Sequence, residues 1–205
     1  MKRYLSIYRL FLFQRLKVLM EYRVNFFIGM SSTIVLQGAS ILTLWVVMGR
    51  IPNLNGWTLS EILLIYGLVS LAMSIPHMFA DNLWTLGRAY IQPGGFDRFL
   101  VRPLDPLFHL LADRFCQDGI GDFIVGVVLV AVAGRGAGVH WTPLNLLVLV
   151  LAVLAGATVF FSINLLLGTS AFWVMDSVPI ILAVQQTNQF ARYPLSIYNK
   201  AISVV

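Results

Sequence analysis

PLNLLVLVLAVLAGATVFFSINLLL, residues 143–167, holds 25 positions without a charge and opens on a proline. A helix crossing a hydrocarbon core of ~30 Å needs about 20 mostly apolar residues, and this stretch supplies them. Its apolar side chains run continuously instead of alternating in twos, so it reads as a helix and not as a barrel strand. Pro143 suits the first helical turn, where its missing N–H is not needed. Working outward, the charge-free interval extends from Gly136 to Met175. Forty helical residues would measure about 60 Å, too long for one crossing. Gly168-Thr-Ser170 therefore reads as a tight turn, with a second, weaker span at 171–190.

The same pattern recurs upstream. Val24–Gly49 and Ile62–Ala80 are also free of Asp, Glu, Lys and Arg. The 205 residues are 59% hydrophobic and 11% charged, against roughly 25% charged in soluble domains. The expected fold is an all-α integral membrane protein forming a single transmembrane domain over 1–205. It comprises an interfacial helix at 1–23, spans at 24–48, 59–80, 118–133, 143–167 and 171–190, and a cytoplasmic loop at 81–117. The net charge of +5 reports orientation and not nucleic-acid binding, because basic residues gather in the cytoplasmic loops of membrane proteins.

Residues 1–23 carry six basic residues and one acid, Glu21. Leu5, Leu12, Leu16 and Leu19 lie opposite Lys2, Arg3, Ser6, Arg9, Gln14, Lys17 and Glu21 at helical spacing, a pattern interrupted by Arg15. Two readings fit: a helix lying among anionic headgroups, or the positive flank of the first span. Span 24–48 contains Ser31, Ser32, Thr33, Gln37, Gly38 and Ser40, small and polar residues that favour contact between helices. Thr58 and Glu61 have the spacing of a capping box at the start of the next span. Asp105-Pro106 opens a short helix. Asp118 and Asp122 complement the positive end of the third span's dipole. With the N-terminus inside, residues 1–23 and 81–117 place ten basic residues in the cytoplasm, and the loops 49–58 and 134–142 place one each outside. Arg192 and Lys200 would fall outside if 171–190 crosses, which favours a re-entrant or tilted element there. The chain stops in an apolar rise at Val205, and a sixth span missing from this form is expected.

Little here suggests an enzyme. No GxxxxGK[ST] phosphate loop occurs, and Gly134–His140 lacks the spacing and context of one. His77, His109 and His140 lie on separate segments with no carboxylate at ligand spacing, so no metal is expected. Cys116, the only cysteine, reads as a buried or interfacial thiol. Two intramembrane polar positions stand out. His77 near the end of the second span and Asp176 in an apolar run are costly in lipid unless they serve a purpose or find a partner.

The polar interval 81–117 is the natural handle for a soluble partner. Pro93-Gly94-Gly95 forces a turn, and Phe96-Asp97-Arg98-Phe99-Leu100-Val101 makes a short amphipathic segment ended by Arg102-Pro103. Phe96, Phe99 and Leu100 suit insertion into a groove, with Asp97, Arg98 and Arg102 fixing orientation. Resting on lipid headgroups suits the same residues equally well. The segment from Gly95 to Leu104, the helix after it, Phe172-Trp173 and the stretch 191–198 together resemble bacterial ABC-2 type permeases. The likeness is to their subfamily of about 260-residue integral membrane subunits.

The resemblance implies a transport subunit of an ATP-binding cassette exporter in the bacterial cytoplasmic membrane, with a cytoplasmic N-terminus and six spans. It implies that Gly95, Asp97, Leu100, Arg102 and Pro103 belong to a loop that meets a separate ATP-binding subunit. ATP and Mg would be held by that partner, with no cofactor in this chain. A second permease subunit and membrane lipids complete the implied partners, and nucleic acid is not among them. Two further classes stay open on the residues alone: a proton-coupled secondary transporter using Asp176, and a non-transporting membrane scaffold.

Overall fold

The computed structural model describes residues 2–51 and 53–194, and within them the chain is helical, with no strand beyond an isolated bridge between Leu54 and Trp57. Helix α1 (Lys2–Glu21) passes into α2 (Arg23–Met48) through Tyr22 alone, whose φ of −99° and ψ of 47° bend the path. A short turn leads to α3 (Leu59–Phe79). There Thr58 Oγ1 accepts from Glu61 N–H, and Glu61 Oε2 accepts from Thr58 N–H at 2.8 Å. That reciprocal cap fixes where the helix starts.

The interval after α3 is compact. It contains a 3-10 turn (Asp81–Leu83), a π-helical turn (Leu86–Ile91), α4 (Asp97–Leu100) and α5 (Pro106–Asp113). Asp105 Oδ1 accepts from Phe108 N–H at 2.9 Å and starts α5. Helix α6 (Asp118–Gly136) returns along α3, and α7 (Pro143–Thr169) begins at Thr142, whose hydroxyl accepts from Asn145 N–H.

Among the described residues, four helical stretches are long and apolar enough to cross a membrane: α2, α3, α6 and Pro143–Val174. The centre of the bundle is the α3–α6 pair. In their most apolar stretches 44% and 50% of residues are buried, against 11% in α2 and 6% in the α7 stretch. Glycine permits that closeness. A Cβ on Gly126 would come within 2.7 Å of Leu71 Cγ, and one on Gly67 within 2.9 Å of Leu129 Cβ. Close backbone approach of this kind is how helices associate where lipid removes the hydrophobic drive. Helices α2 and α7 flank the pair and leave broad apolar faces uncovered, including Val35, Leu36 and Leu42 on α2 and Leu144, Leu147 and Leu151 on α7.

Residues 171–190, expected as a fifth span, are not one continuous helix. Helix α8 (Ala171–Val174) stops at Met175, which takes a φ of +61°, and α9 (Val178–Asn188) starts only after this break. Eleven residues of α9 measure about 16 Å, roughly half a hydrocarbon core. The expectation of a missing sixth span concerns the chain's end, outside the described residues.

Candidate functional site

The loop between α3 and α6 folds around an aromatic centre of its own. Ala80, Leu83, Leu86, Tyr90, Phe99 and Leu110 form a buried cluster, with Phe96, Leu111, Phe161 and Leu165 packed against it. Phe99 is fully enclosed, its ring 4.7 Å from His109, 5.3 Å from Tyr90 and 5.7 Å from Phe96. Asn82 Nδ2 donates to Leu110 O at 2.6 Å and ties the start of the loop to α5. Helix α1 lies against the same unit, with the Tyr4 ring 4.9 Å from Phe108 and Phe11 5.6 Å from His109.

Charge is arranged around that centre. Tyr90 OH and Arg98 Nη2 both donate to Asp113 Oδ2, at 3.1 and 3.0 Å, and the Arg98 guanidinium lies over the Tyr90 and Phe99 rings. Burial, reinforced by the Asp113 charge, pushes the Tyr90 phenol up to about 12. Arg102 Nη1 donates to His109 Nε2 at 3.1 Å. Burial first, then the Arg102 charge, holds the His109 imidazole below its usual value, so it stays neutral and can accept.

The residues expected to contact a partner therefore divide. Phe99 belongs to the loop's own core and has no free face. Phe96 is half-buried, its ring 4.9 Å from Phe172. Leu100 and Val101 are 60% and 82% exposed, and Asp97, Arg98, Arg102 and Pro103 are exposed beside them. Gly94 takes a φ of +71° and turns the chain into this knuckle, and Gly95 is half-buried behind it. Val101 was the omission. It is the last residue of the amphipathic segment, and its place at the end of α4 leaves its β-branched side chain exposed.

The loop is also fastened to the α8–α9 turn. Arg88 Nε and Nη2 donate to Asp176 Oδ2 at 3.0 and 2.8 Å, and Gln92 Nε2 donates to Met175 O at 3.3 Å. Gly87 packs directly beneath the Met175 carbonyl, where a Cβ would collide with it. Asp176 Oδ1 accepts from Val178 N–H at 3.1 Å, starting α9. The Arg88 hydrogen bonds hold the Asp176 carboxyl below the usual carboxylate range. Asp176 thus sits in a helix break, paired with a cation from the loop. Its apolar sequence neighbours gave no sign of Arg88, which lies far away along the chain.

His77 belongs to a different group. Its Nδ1 lies 2.8 Å from Asp122 Oδ2, while Gln37 Nε2 donates to Asp122 Oδ1 at 2.7 Å. Tyr66 OH donates to Gln37 Oε1, and Arg192 Nη1 donates to Gln37 Oε1 at 3.1 Å and to Tyr66 OH at 2.7 Å. No carboxylate stands at ligand spacing from His77 in the sequence, but helix packing brings Asp122 to it from 45 residues away. Asp122 in turn does more than complement a helix dipole, since it joins α2, α3 and α6. His77, Asp122, Asn164, Gln185, Asn188 and Arg192 help to line a cavity of about 310 Å³. The sign available in sequence was three polar residues, Gln37, His77 and Asp122, interrupting apolar helices.

A family model described as an ABC-2 family transporter protein matches residues 34–205. No curated protein and no solved structure matches the chain. The match spans most of the length, including the α3–α6 core, the loop and the broken α8–α9 segment, and the chain belongs to the ABC-2 family of membrane transport permeases.

Proposed function

We propose that this chain is the membrane-spanning subunit of an ATP-driven exporter in the bacterial cytoplasmic membrane. In this reading residues 81–117 face the cytoplasm and dock on a separate ATP-binding subunit, which holds ATP and Mg. The observation that carries it is the built character of the loop. A buried aromatic centre presents an exposed Leu100–Pro103 knuckle on one side and is fastened to the α8–α9 turn on another. A push on the knuckle moves the unit as a body, because Phe99, Tyr90 and His109 leave it no room to deform. The Arg88–Asp176 pair and the Gly87–Met175 contact then hand the displacement to α8 and α9. The spans respond by rocking between inward-open and outward-open arrangements. The uncovered faces of α2 and α7 suit lipid and a second permease subunit.

A proton-coupled mechanism through Asp176 draws no support from this geometry. The carboxylate is partly exposed in a turn and held ionised by Arg88.

The test is copurification. Leu100→Asp with Val101→Asp leaves the loop core intact and is expected to abolish recovery of the ATP-binding subunit in detergent. Undiminished recovery sinks the docking surface. Finding no ATP-binding partner for the wild-type chain sinks the ATP-driven reading as a whole.

A further inference from the structure

His77, Asp81 and Cys116 come together at the loop end of the α3–α6 pair, with an imidazole nitrogen, a carboxylate oxygen and the thiol sulfur all within 4.8 Å of one another. No spacing in the sequence announces this set. His77 lies in the last turn of α3, Asp81 in the 3-10 turn after it, and Cys116 just before α6. We propose that these three side chains form a binding site for a divalent metal ion of borderline softness, of which Zn²⁺ is the best fit.

Four features argue for it. Asp122 Oδ2 holds His77 Nδ1 at 2.8 Å, which orients the ring and leaves Nε2 as the ligand atom. A carboxylate behind a histidine is the usual support of a metal-bound imidazole. The backbone N–H of Cys116 donates to Met78 O at 3.0 Å, so the thiol is anchored to the same helix end as His77. Asp81 Oδ2 lies 3.5 Å from Arg114 Nε, and among the described residues its second oxygen accepts no hydrogen bond, which leaves it available to a cation. Finally, His77 and Asp81 border the 310 Å³ cavity, which gives room for a water as fourth ligand.

The chemistry selects the ion. One imidazole, one carboxylate and one thiolate suit Zn²⁺ better than Mg²⁺ or Ca²⁺, which prefer oxygen alone. A thiolate and a carboxylate also balance a charge of +2, so the loaded site is neutral beside the low-dielectric bundle. Zinc bonds of about 2.0–2.3 Å place neighbouring ligand atoms roughly 3–4 Å apart, so side-chain adjustments of about an ångström close the set. Binding would staple the end of α3, the start of the loop and the entrance to α6 together. It would set how freely the loop moves against the core helices.

The full chain, purified in detergent without a polyhistidine tag, is titrated with Co²⁺ and followed by absorption, then challenged with Zn²⁺. The expected result is one equivalent of Co²⁺ with intense four-coordinate visible bands and a thiolate-to-cobalt charge-transfer band, all bleached by Zn²⁺. Cys116→Ser removes the charge-transfer band. Asp122→Asn keeps it at saturation but weakens affinity roughly 10–100-fold, the usual cost of losing a supporting partner. His140→Ala changes nothing. A wild-type chain that shows no charge-transfer band at saturating Co²⁺ overturns the proposal without recourse to any variant. So does a band whose affinity is unchanged in both His77→Gln and Asp81→Asn, since the cysteine alone would then be the binder. Variants are compared only where their elution and circular dichroism match the wild type.

Discussion

Phe99 and Leu100 stand side by side, yet one ring is enclosed by Tyr90, Phe96 and His109 while its neighbour is 60% exposed. Their truncations should separate cleanly. Phe99→Ala removes a buried aromatic ring and is expected to cost about 3–5 kcal/mol, whereas Leu100→Ala stays within about 0.5 kcal/mol. Thermal unfolding in detergent checks both, and a similar loss for the two variants would refute the assignment. His109 gives the loop a pH dependence. Its folded pKa is lowered, so the unfolded loop takes up a proton first. The associated stability is complete above about 6.5, the ordinary histidine value, and is lost as pH falls toward the depressed one. His109→Gln should flatten the melting temperature against pH in that window, and an unchanged slope would assign the dependence elsewhere. Sequence shows that Phe96, Phe99 and Leu100 are apolar. It does not show which of them face inward, because a four-residue helix is too short for periodicity to define a face.

At the scale of elements, hydropathy speaks plainly because a bilayer imposes it: a backbone in lipid must be helical, and a crossing needs a minimum length. That is why α2, α3, α6 and α7 are legible as long apolar runs. The break between α8 and α9 is not legible, because it rests on Met175 at positive φ and on the Gly87 backbone pressed beneath its carbonyl. Methionine carries no propensity for that conformation, and the partner that enforces it is remote in sequence. Packing between helices is equally hidden, although the glycines hint at it. Gly126→Leu would drive a side chain into Leu71 and is expected to destabilise the bundle by at least about 1–3 kcal/mol. Gly38→Ala meets nothing within 4 Å and should be nearly silent. Paired melting curves decide this, and equal effects would place the tight helix contact elsewhere.

For the molecule as a whole, the question is how movement at one end reaches the other. Arg88 and Asp176 are 56% and 31% exposed at the side chain, so solvent screens their pair and it contributes little to stability. Its value lies in connection. Arg88→Ala is expected to leave the melting temperature nearly unchanged and ATP hydrolysis by the reconstituted complex intact, while transport falls severalfold. The exchange Arg88→Asp with Asp176→Arg should restore part of that loss. Transport unaffected by Arg88→Ala would move the connection to another contact. None of these long-range pairs was readable from the chain, since Arg88 meets Asp176 across 88 residues and Gln37 meets Asp122 across 85. Arg192 extends the theme in electrical terms. Its guanidinium reaches Gln37 on α2 and Tyr66 on α3, and in the proposed arrangement, with both helices crossing the bilayer, that positive charge lies part-way through the voltage drop. Carrying one charge across the whole drop is worth about 2.3 kcal/mol per 100 mV. Any rocking that shifts Arg192 along the membrane normal by a tenth of that depth therefore does work against, or draws work from, the resting potential of roughly 0.2 kcal/mol per 100 mV.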